Sequence, residues 1–347
     1  MNNSVTLKDI AQALNLSIST ISKSLNDSYE ISVETKDRVL AYAKANHYSP
    51  NRMAKGLKEG KSRSIGVVVC SLDNNFVSQM LDGIDKYSTE KSYQIIIMQS
   101  KESHEQESAC LSLLYAGGVD GILISPACEN IDFSYLLSLQ DNGLPIVLFD
   151  RLSDLIDTHK VGADNFKGAY DATVHLIENG YRNIAHLNTN TILSIATDRL
   201  NGYKQALSDH GIIFRDEFVR LCDYTDGLKL NHDLKEAINF YMSLAHRPDA
   251  IFTATDQITT RCLAILNNFN YKIPEEIAII GFTNTDLADA LSPSLSTVHQ
   301  PAFEIGQLAA KQLISLIESR HKVEEFETVL LDTQIKVRSS TRNRLRS

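Results

Sequence analysis

Two sets of residues in this 347-residue chain have types and spacing that could act on a ligand. The first is Ser17, Ser19, Thr20, Ser22 and Lys23, crowded into the stretch Ser17 to Asn26. Small hydroxyl donors and one long cation, without the Glu/Lys mixture of a solvated face, suit phosphate oxygens and base edges of a duplex. The second set is spread along the chain: Asn75, Phe76, Ser125, Asp150, Arg199, Asp256 and Asn284, with Arg151, Gln257 and Thr283 beside them. Carboxylates, arginines, amides and an aromatic ring bind hydroxyl-rich molecules and offer a stacking face, which suits a sugar or a nucleoside. Each set has a plainer alternative. A polar helix can belong to a simple three-helix packing module, and Arg199 or Asp256 can be a structural pair former or a helix cap.

The elements that would position the first set are legible. Leu7, Ile10, Ala11 and Leu14 recur at i, i+3, i+4 and i+7, one face of a helix. Thr6 precedes them as N-cap, with Asp9 in the first turn. Asn15-Leu16-Ser17 breaks the pattern, and Ser17 can cap a second helix running to about Leu25, so the pair reads as a helix-turn-helix. Asn26-Asp27-Ser28 is a turn cluster, Ser32 a further cap, and Val33 to Asn46 a third helix. Val39, Leu40 and Ala43 are expected to close a small core against Leu7, Ile10 and Ile21. A basic segment follows, Pro50 to Lys58, flanked by Lys61 and Arg63. It is too short to persist as an isolated helix and contains Gly56, so it is expected to fold only on DNA.

From Ser64 the rhythm changes. Apolar runs at Ile65–Val69, Gln94–Met98, Gly121–Ile124 and Ile146–Phe149 recur at the spacing of βαβ units. The pattern resumes at Ile184–Leu187, Phe218–Leu221, Ala250–Ala254 and Ala278–Phe282, predicting two lobes of parallel strands covered by helices. Ligands of such sheets bind just beyond the carboxyl ends of the strands, and the second residue set falls at those ends. The expected division is a headpiece at 1–48, a hinge at 49–63 and a two-lobed body at 64–340. Lobe 1 would hold 64–162 and 293–325, and lobe 2 would hold 163–291 and 327–340.

Composition narrows the function. The whole chain carries −9, yet residues 1–63 hold ten Lys and Arg against six Asp and Glu, a charge of +4, which leaves −13 for 64–347. A basic head on an acidic body is the split expected of a DNA reader carrying a sensor. The longest apolar stretch, Ile65–Cys70, is too short to cross a bilayer, and no signal peptide precedes the first helix, so a cytoplasmic protein without membrane contact is expected. Five scattered cysteines without C-x-x-C suit reduced thiols, and ten histidines without metal-ligand spacing predict no metal site. No G-x-x-x-x-G-K-[ST], G-x-G-x-x-G or G-x-S-x-G motif occurs, so no catalytic residue or cofactor is expected.

Three ordered motifs in the head, T-L-K-D-I-A, S-x-S-T-I-S-K-S-L-N and H-Y-S-P-N-R-M-A-K-G-L, make the chain resemble the lactose/galactose repressor (LacI/GalR) family. In the body the similarity continues through V-D-G-I-L-I-S-P, L-P-I-V-L-F-D-R, G-Y-R-N-I-A-H-L, D-R-L-N-G-Y, T-A-T-D-Q, I-I-G-F-T-N and L-S-P-S-L-S-T-V-H-Q-P, to about Arg338. The resemblance implies an all-α helix-turn-helix headpiece and an α/β two-lobed, periplasmic-binding-protein-like (type I) effector domain with parallel sheets. It also implies that Ile18, Ser19 and Lys23 read bases and that Thr20, Ser22 and Asn26 contact phosphates, with Ser17, Asn51 and Lys58 completing the DNA-binding set. Leu57 matches a hinge leucine that wedges into the minor groove, and Ala54 a small residue that lets two hinge helices approach. Arg199 and Asp256 match effector-holding residues. The chain departs from the family at Gly56, at Glu30, at Asn74-Asn75-Phe76-Val77, and at Thr283, where Asp is usual.

The expected function is a ligand-responsive repressor of carbohydrate-utilisation genes that binds a near-palindromic operator. Its partners would be double-stranded operator DNA, a small effector (a sugar or sugar derivative) and a second copy of itself. Only ten residues follow Val337, too few for a tetramerising heptad tail. A nucleoside- or nucleobase-responsive repressor of the same fold is the alternative, and a solute-binding protein without a transcriptional role is a weaker one.

Overall fold

The computed structural model describes residues 5–46, 48, 61–127, 133–189, 193–223, 226–321 and 323–342. The expected hinge segment, with Asn51, Ala54, Leu57 and Lys58, lies outside the described residues, as does Cys128. The chain divides into two compact units between Ser62 and Arg63.

In the head, α1 (Leu7–Leu14) opens on a full capping box. The Thr6 amide donates to Asp9 Oδ2 at 2.8 Å and the Asp9 amide to Thr6 Oγ1 at 3.3 Å, so two otherwise orphaned donors are satisfied reciprocally. Asn15 ends the helix in the left-handed region, φ 54°, which an Asn tolerates better than most residues. Ser17 caps α2 (Ile18–Leu25) by accepting from the Thr20 amide, and Ser32 caps α3 (Val33–Ala45). The core is Ile10, Ala11, Ile21, Val39 and Ala43, with Leu7 only partly buried against it. Leu40 departs from expectation. It is 49% exposed, because α3 turns the face carrying Val39 and Ala43 inward and leaves the intervening position to solvent.

The body contains, among the described residues, two six-stranded sheets. The first lobe runs β1 (Ser64–Val69), α4 (Asn75–Glu90), β2 (Gln94–Gln99), α5 (His104–Ala116), β3 (Gly121–Ile124), α6 (Ser134–Asp141), β4 (Ile146–Phe149) and β5 (Lys160–Ala163). The second runs α7 (Asn165–Glu178), β6 (Ile184–Thr189), α8 (Ser194–Asp209), β7 (Val219–Cys222), α9 (Gly227–Ser243), β8 (Ala250–Thr253), α10 (Asp256–Asn268), β9 (Ala278–Phe282) and β10 (Ser296–His299). Then come α11 (Ala302–Glu318), β11 (Thr328–Leu331) and β12 (Gln334–Lys336). The sheet orders are β11-β5-β4-β3-β1-β2 and β12-β10-β9-β8-β6-β7, parallel throughout except where β12 runs against β10. In each lobe the first strand has its successor on one side and the third strand on the other. The order in which strands are added therefore reverses at β1/β3 and at β6/β8, leaving a crevice beyond both pairs of strand ends.

Helix packing holds each sheet. Helix α11 lies against α4 so closely that a Cβ at Gly306 would come within 1.9 Å of the Met80 carbonyl, and one at Gly83 within 2.0 Å of that of Phe303. Only glycine fits at these crossings. The strands at the sheet centres are buried on both faces, as their apolar runs predict, but β2 is an edge strand with Ile96 and Ile97 about 40% exposed.

Two of the three expected lobe crossings are corrected by the strand pairing. The first, after β5 at Asp164, agrees with expectation. The second was expected at 290–292, but β10 pairs in parallel with β9, Ser296 opposite Ile280, so the crossing falls at Gln300-Pro301. Ser-Thr-Val-His is a polar four-residue strand with no apolar run to mark it. The third was expected at 325–329, yet β11 pairs with β5 and β12 with β10, which places it between Leu331 and Gln334. Short strands carry no sequence signal for which sheet they join. Cys70, Cys110, Cys222 and Cys262 are free and buried.

Candidate functional site

In the head, α2 buries Ile21 and Ser24 and leaves Ser17, Ile18, Ser19, Lys23 and Asn26 exposed, with Thr20 and Ser22 half-buried. The expected DNA-facing residues of this stretch thus occupy exposed and half-buried positions of α2 and its two caps. Ser17 Oγ lies 2.7 Å from Ser19 Oγ and 2.8 Å from Thr20 Oγ1, a hydroxyl cluster bonded within itself. Asn26 donates to the Ser22 carbonyl at 2.7 Å. Lys23 pairs with Glu30.

In the body, the crevice between the two sheets is a cavity of about 970 Å³, counting its open mouth. Phe76, Ser125, Asp150, Arg199, Asp256 and Asn284 all line it, as do Arg151, Gln257 and Thr283. Asn75 does not. It is the first residue of α4, and its amide instead donates to Asp286 Oδ2 at 3.1 Å, while the preceding Asn74 caps the helix and faces the cavity. Sequence reasoning missed Asn188 and Thr189 at the end of β6, and Gln300. The polar pair closing the apolar run I-A-H-L was the available signal for the first two. Gln300 was hidden because the crossing it occupies was misplaced.

The two arginines differ in their partners. Arg151 makes a two-point bond to Glu102, 2.6 Å and 2.7 Å, and donates to the carbonyls of Pro126 and Ala127. Arg199, 5% exposed, reaches Asn165 Oδ1 from Nε at 2.9 Å and from Nη2 at 2.6 Å, Gln300 Oε1 at 2.7 Å, and the Ala254 carbonyl. Burial draws its guanidinium down to about 9, against the upward pull of Asp150 and Asp198, which leaves it charged at neutral pH.

Asp150 follows β4 in the left-handed region, φ 63°, and accepts from Ser125 Oγ at 3.1 Å. Burial raises its carboxyl, partly offset by Arg151, the Ser125 bond and Arg199. Asp256 opens α10 after the Thr255 cap and accepts from Thr283 Oγ1; burial raises it too, and that bond lowers it. Two carboxylates on opposite walls, with amides and hydroxyls between, can accept from several hydroxyl groups of one small molecule. Across the cleft Asn284 donates to Gln79 Oε1 at 2.7 Å and to the Gln300 carbonyl at 2.8 Å, while the Gln300 amide donates back to Asn284 Oδ1 at 2.9 Å. Among the described residues there is no cluster of His, Cys, Asp and Glu that could hold a metal, and no helix long and apolar enough to cross a membrane.

Comparison with known proteins matches residues 6–51 to the bacterial regulatory proteins of the lacI family and residues 173–341 to the periplasmic binding protein-like domain. The NTD biosynthesis operon regulator NtdR of Bacillus subtilis is 29% identical over 338 residues, covering 97% of this chain and 99% of that protein. The ribose operon repressor of Haemophilus influenzae is 29% identical over 337 residues, covering 96% and 98%. Among solved structures, a transcriptional regulator CelR–cellobiose complex superimposes with a TM-score of 0.71 at 24% identity, over 97% of this chain and 99% of that one, a likeness of fold. With a helix-turn-helix whose polar face is exposed and a two-lobed body whose cleft lies at both switch points, this chain belongs to the LacI family of bacterial transcriptional regulators.

Proposed function

We propose that this LacI-family regulator is a repressor of carbohydrate-utilisation genes, released from or fastened to its operator by a hydroxyl-rich small molecule held in the body cleft. The observation that carries the effector class is the placing of Asp150 and Asp256 on opposite walls of a cavity that also presents Arg199, several amides and hydroxyls, and the rings of Phe76 and Phe282 among apolar side chains. A sugar presents hydroxyls to the carboxylates and a ring face to the phenyl group. A nucleoside fits the same groups through stacking on Phe76, and stands second. Relatives named for an operon of ribose or for NTD biosynthesis are in keeping with a metabolite effector.

The head supplies the DNA reading, with α2 in the major groove and Ser17, Ile18, Ser19, Thr20, Ser22, Lys23 and Asn26 at the duplex. Asn51, Ala54, Leu57 and Lys58 complete it in the hinge. A dimer places two heads on two half-sites, and the exposed Ile96 and Ile97 of β2, Leu221 of β7 and Leu228 of α9 supply apolar surface for a second copy. The protein works in the cytoplasm, without catalysis. Effector and operator then act on one equilibrium of lobe angle, each changing the affinity of the other by the same factor.

Selection from random duplexes by the full chain should return a near-palindrome, and calorimetry with a panel of sugars and nucleosides should find a binder that shifts operator affinity. No selected sequence would end the repressor reading; a selected sequence with only nucleosides bound would replace the sugar.

A further inference from the structure

The turn after α2 carries two carboxylates, and each holds a lysine. Asp27 takes Lys36 at 2.7 Å, and Glu30 takes Lys23. Lys23 is the only basic residue of α2 and is exposed there with Ser19 and Asn26, and the side chains of Lys23 and Glu30 are each 47% exposed. The one cation that this helix can offer a duplex therefore arrives already paired, next to hydroxyls that bond among themselves.

We propose that Glu30 is a positioning residue that sets sequence discrimination by keeping its pair with Lys23 on DNA, which withholds the ammonium from backbone phosphates and aims it at a base edge. This rests on the reading of α2 as the recognition helix. A lysine ammonium carries three donors, so it can stay with Glu30 and still donate to a second acceptor. The two candidate partners on DNA differ. A phosphate on non-operator duplex offers a loose, exchangeable contact whose gain comes from releasing one counterion. A purine edge in a fitted major groove offers fixed acceptors in a water-poor site. The kept pair denies Lys23 the freedom that the first contact needs and holds a donor in place for the second. Its carboxylate also stands near the duplex in both complexes and lowers both affinities, so its effect on the ratio comes only through Lys23.

The test is Glu30→Gln in the full chain, titrated with the selected operator and with a scrambled duplex between 50 and 200 mM salt. Non-specific affinity should rise roughly fivefold and its log–log salt slope steepen by about 0.9, the value of one added phosphate contact. Operator affinity should rise by less than about twofold, so the specificity ratio falls. In a Lys23→Ala background the substitution should leave that ratio unchanged. Lys23→Ala alone should cost the operator complex more than the scrambled one. Equal tightening on both duplexes, no change on either, or a falling ratio that survives without Lys23 would overturn the role given to Glu30. A wild-type chain that selects no sequence would instead overturn the recognition-helix reading.

Discussion

The Arg199 guanidinium carbon lies 3.6 Å from the centroid of the Phe282 ring, flat against the last residue of β9, while its nitrogens reach Asn165, Ala254 and Gln300. One side chain of α8 thus ties together the start of α7, the end of β8, the end of β9 and the second lobe crossing. It forms part of the cleft wall and part of the fold at once.

Arg199→Ala should therefore lower stability even without ligand. It strands buried acceptors on Asn165, Gln300 and Ala254 and opens a void over Phe282, at a cost of about 3 kcal/mol or more. The thermal midpoint should drop by roughly 5–10 °C. Asp256→Asn keeps an acceptor for Thr283, so its midpoint should stay within a few degrees while effector affinity falls. Equal midpoints for the two variants would show that Arg199 does not staple the lobe.

Asp150→Asn should stabilise the protein at neutral pH. Burial raises this carboxyl in the folded state, so the ionised group opposes folding above its folded pKa, and that penalty disappears as pH falls below the ordinary aspartate value. Asparagine keeps the Ser125 bond and tolerates the positive φ. Thermal scans should show the variant above wild type at pH 7, with the gap closing toward pH 4, and calorimetry should show weaker effector binding. A gap that grows on acidification contradicts the assignment.

Asn284→Ala should loosen the two lobes, because it removes the bonds to Gln79 and to Gln300 together. Small-angle scattering of the unliganded chain should report a larger radius of gyration, and effector affinity should fall about tenfold. Asn75→Ala removes only the single bond to Asp286, outside the cavity, and should change effector affinity by less than about threefold. Matching losses for the two would put Asn75 in the site after all.

Ile21→Ala should disable the head and spare the body. Ile21 is wholly buried in a core of five residues, where truncation costs about 2–5 kcal/mol, a large share of what so small a unit has. Operator binding should be lost and effector binding kept. Loss of effector binding as well would show that the two units do not fold separately.

Much of this was legible in the sequence because the signals were local or periodic. Thr6, Ser17 and Ser32 announced three helix starts through a backbone need for a nearby oxygen acceptor. The central strands were visible as apolar runs because both of their faces are covered. The rule that ligands sit at strand ends then picked out Phe76, Ser125, Asp150, Arg199, Asp256 and Asn284, all of which share one cavity.

What only the tertiary structure decided concerns pairing between distant segments. Whether β10 joined the first or second sheet, and hence that Gln300 stands at the cleft beside Arg199, depended on hydrogen bonds to β9 that no run of residues encodes. Asn75 and Asn74 are indistinguishable by type, and the start of α4 alone sends one into the cavity as its cap and the other outward to Asp286. Glu30 was visible in the sequence only as a departure from the family pattern, and its hold on Lys23 came with the fold. A side chain's composition and spacing specify what it can bond, but its actual partner is set by which backbone segments the core brings within about 3 Å.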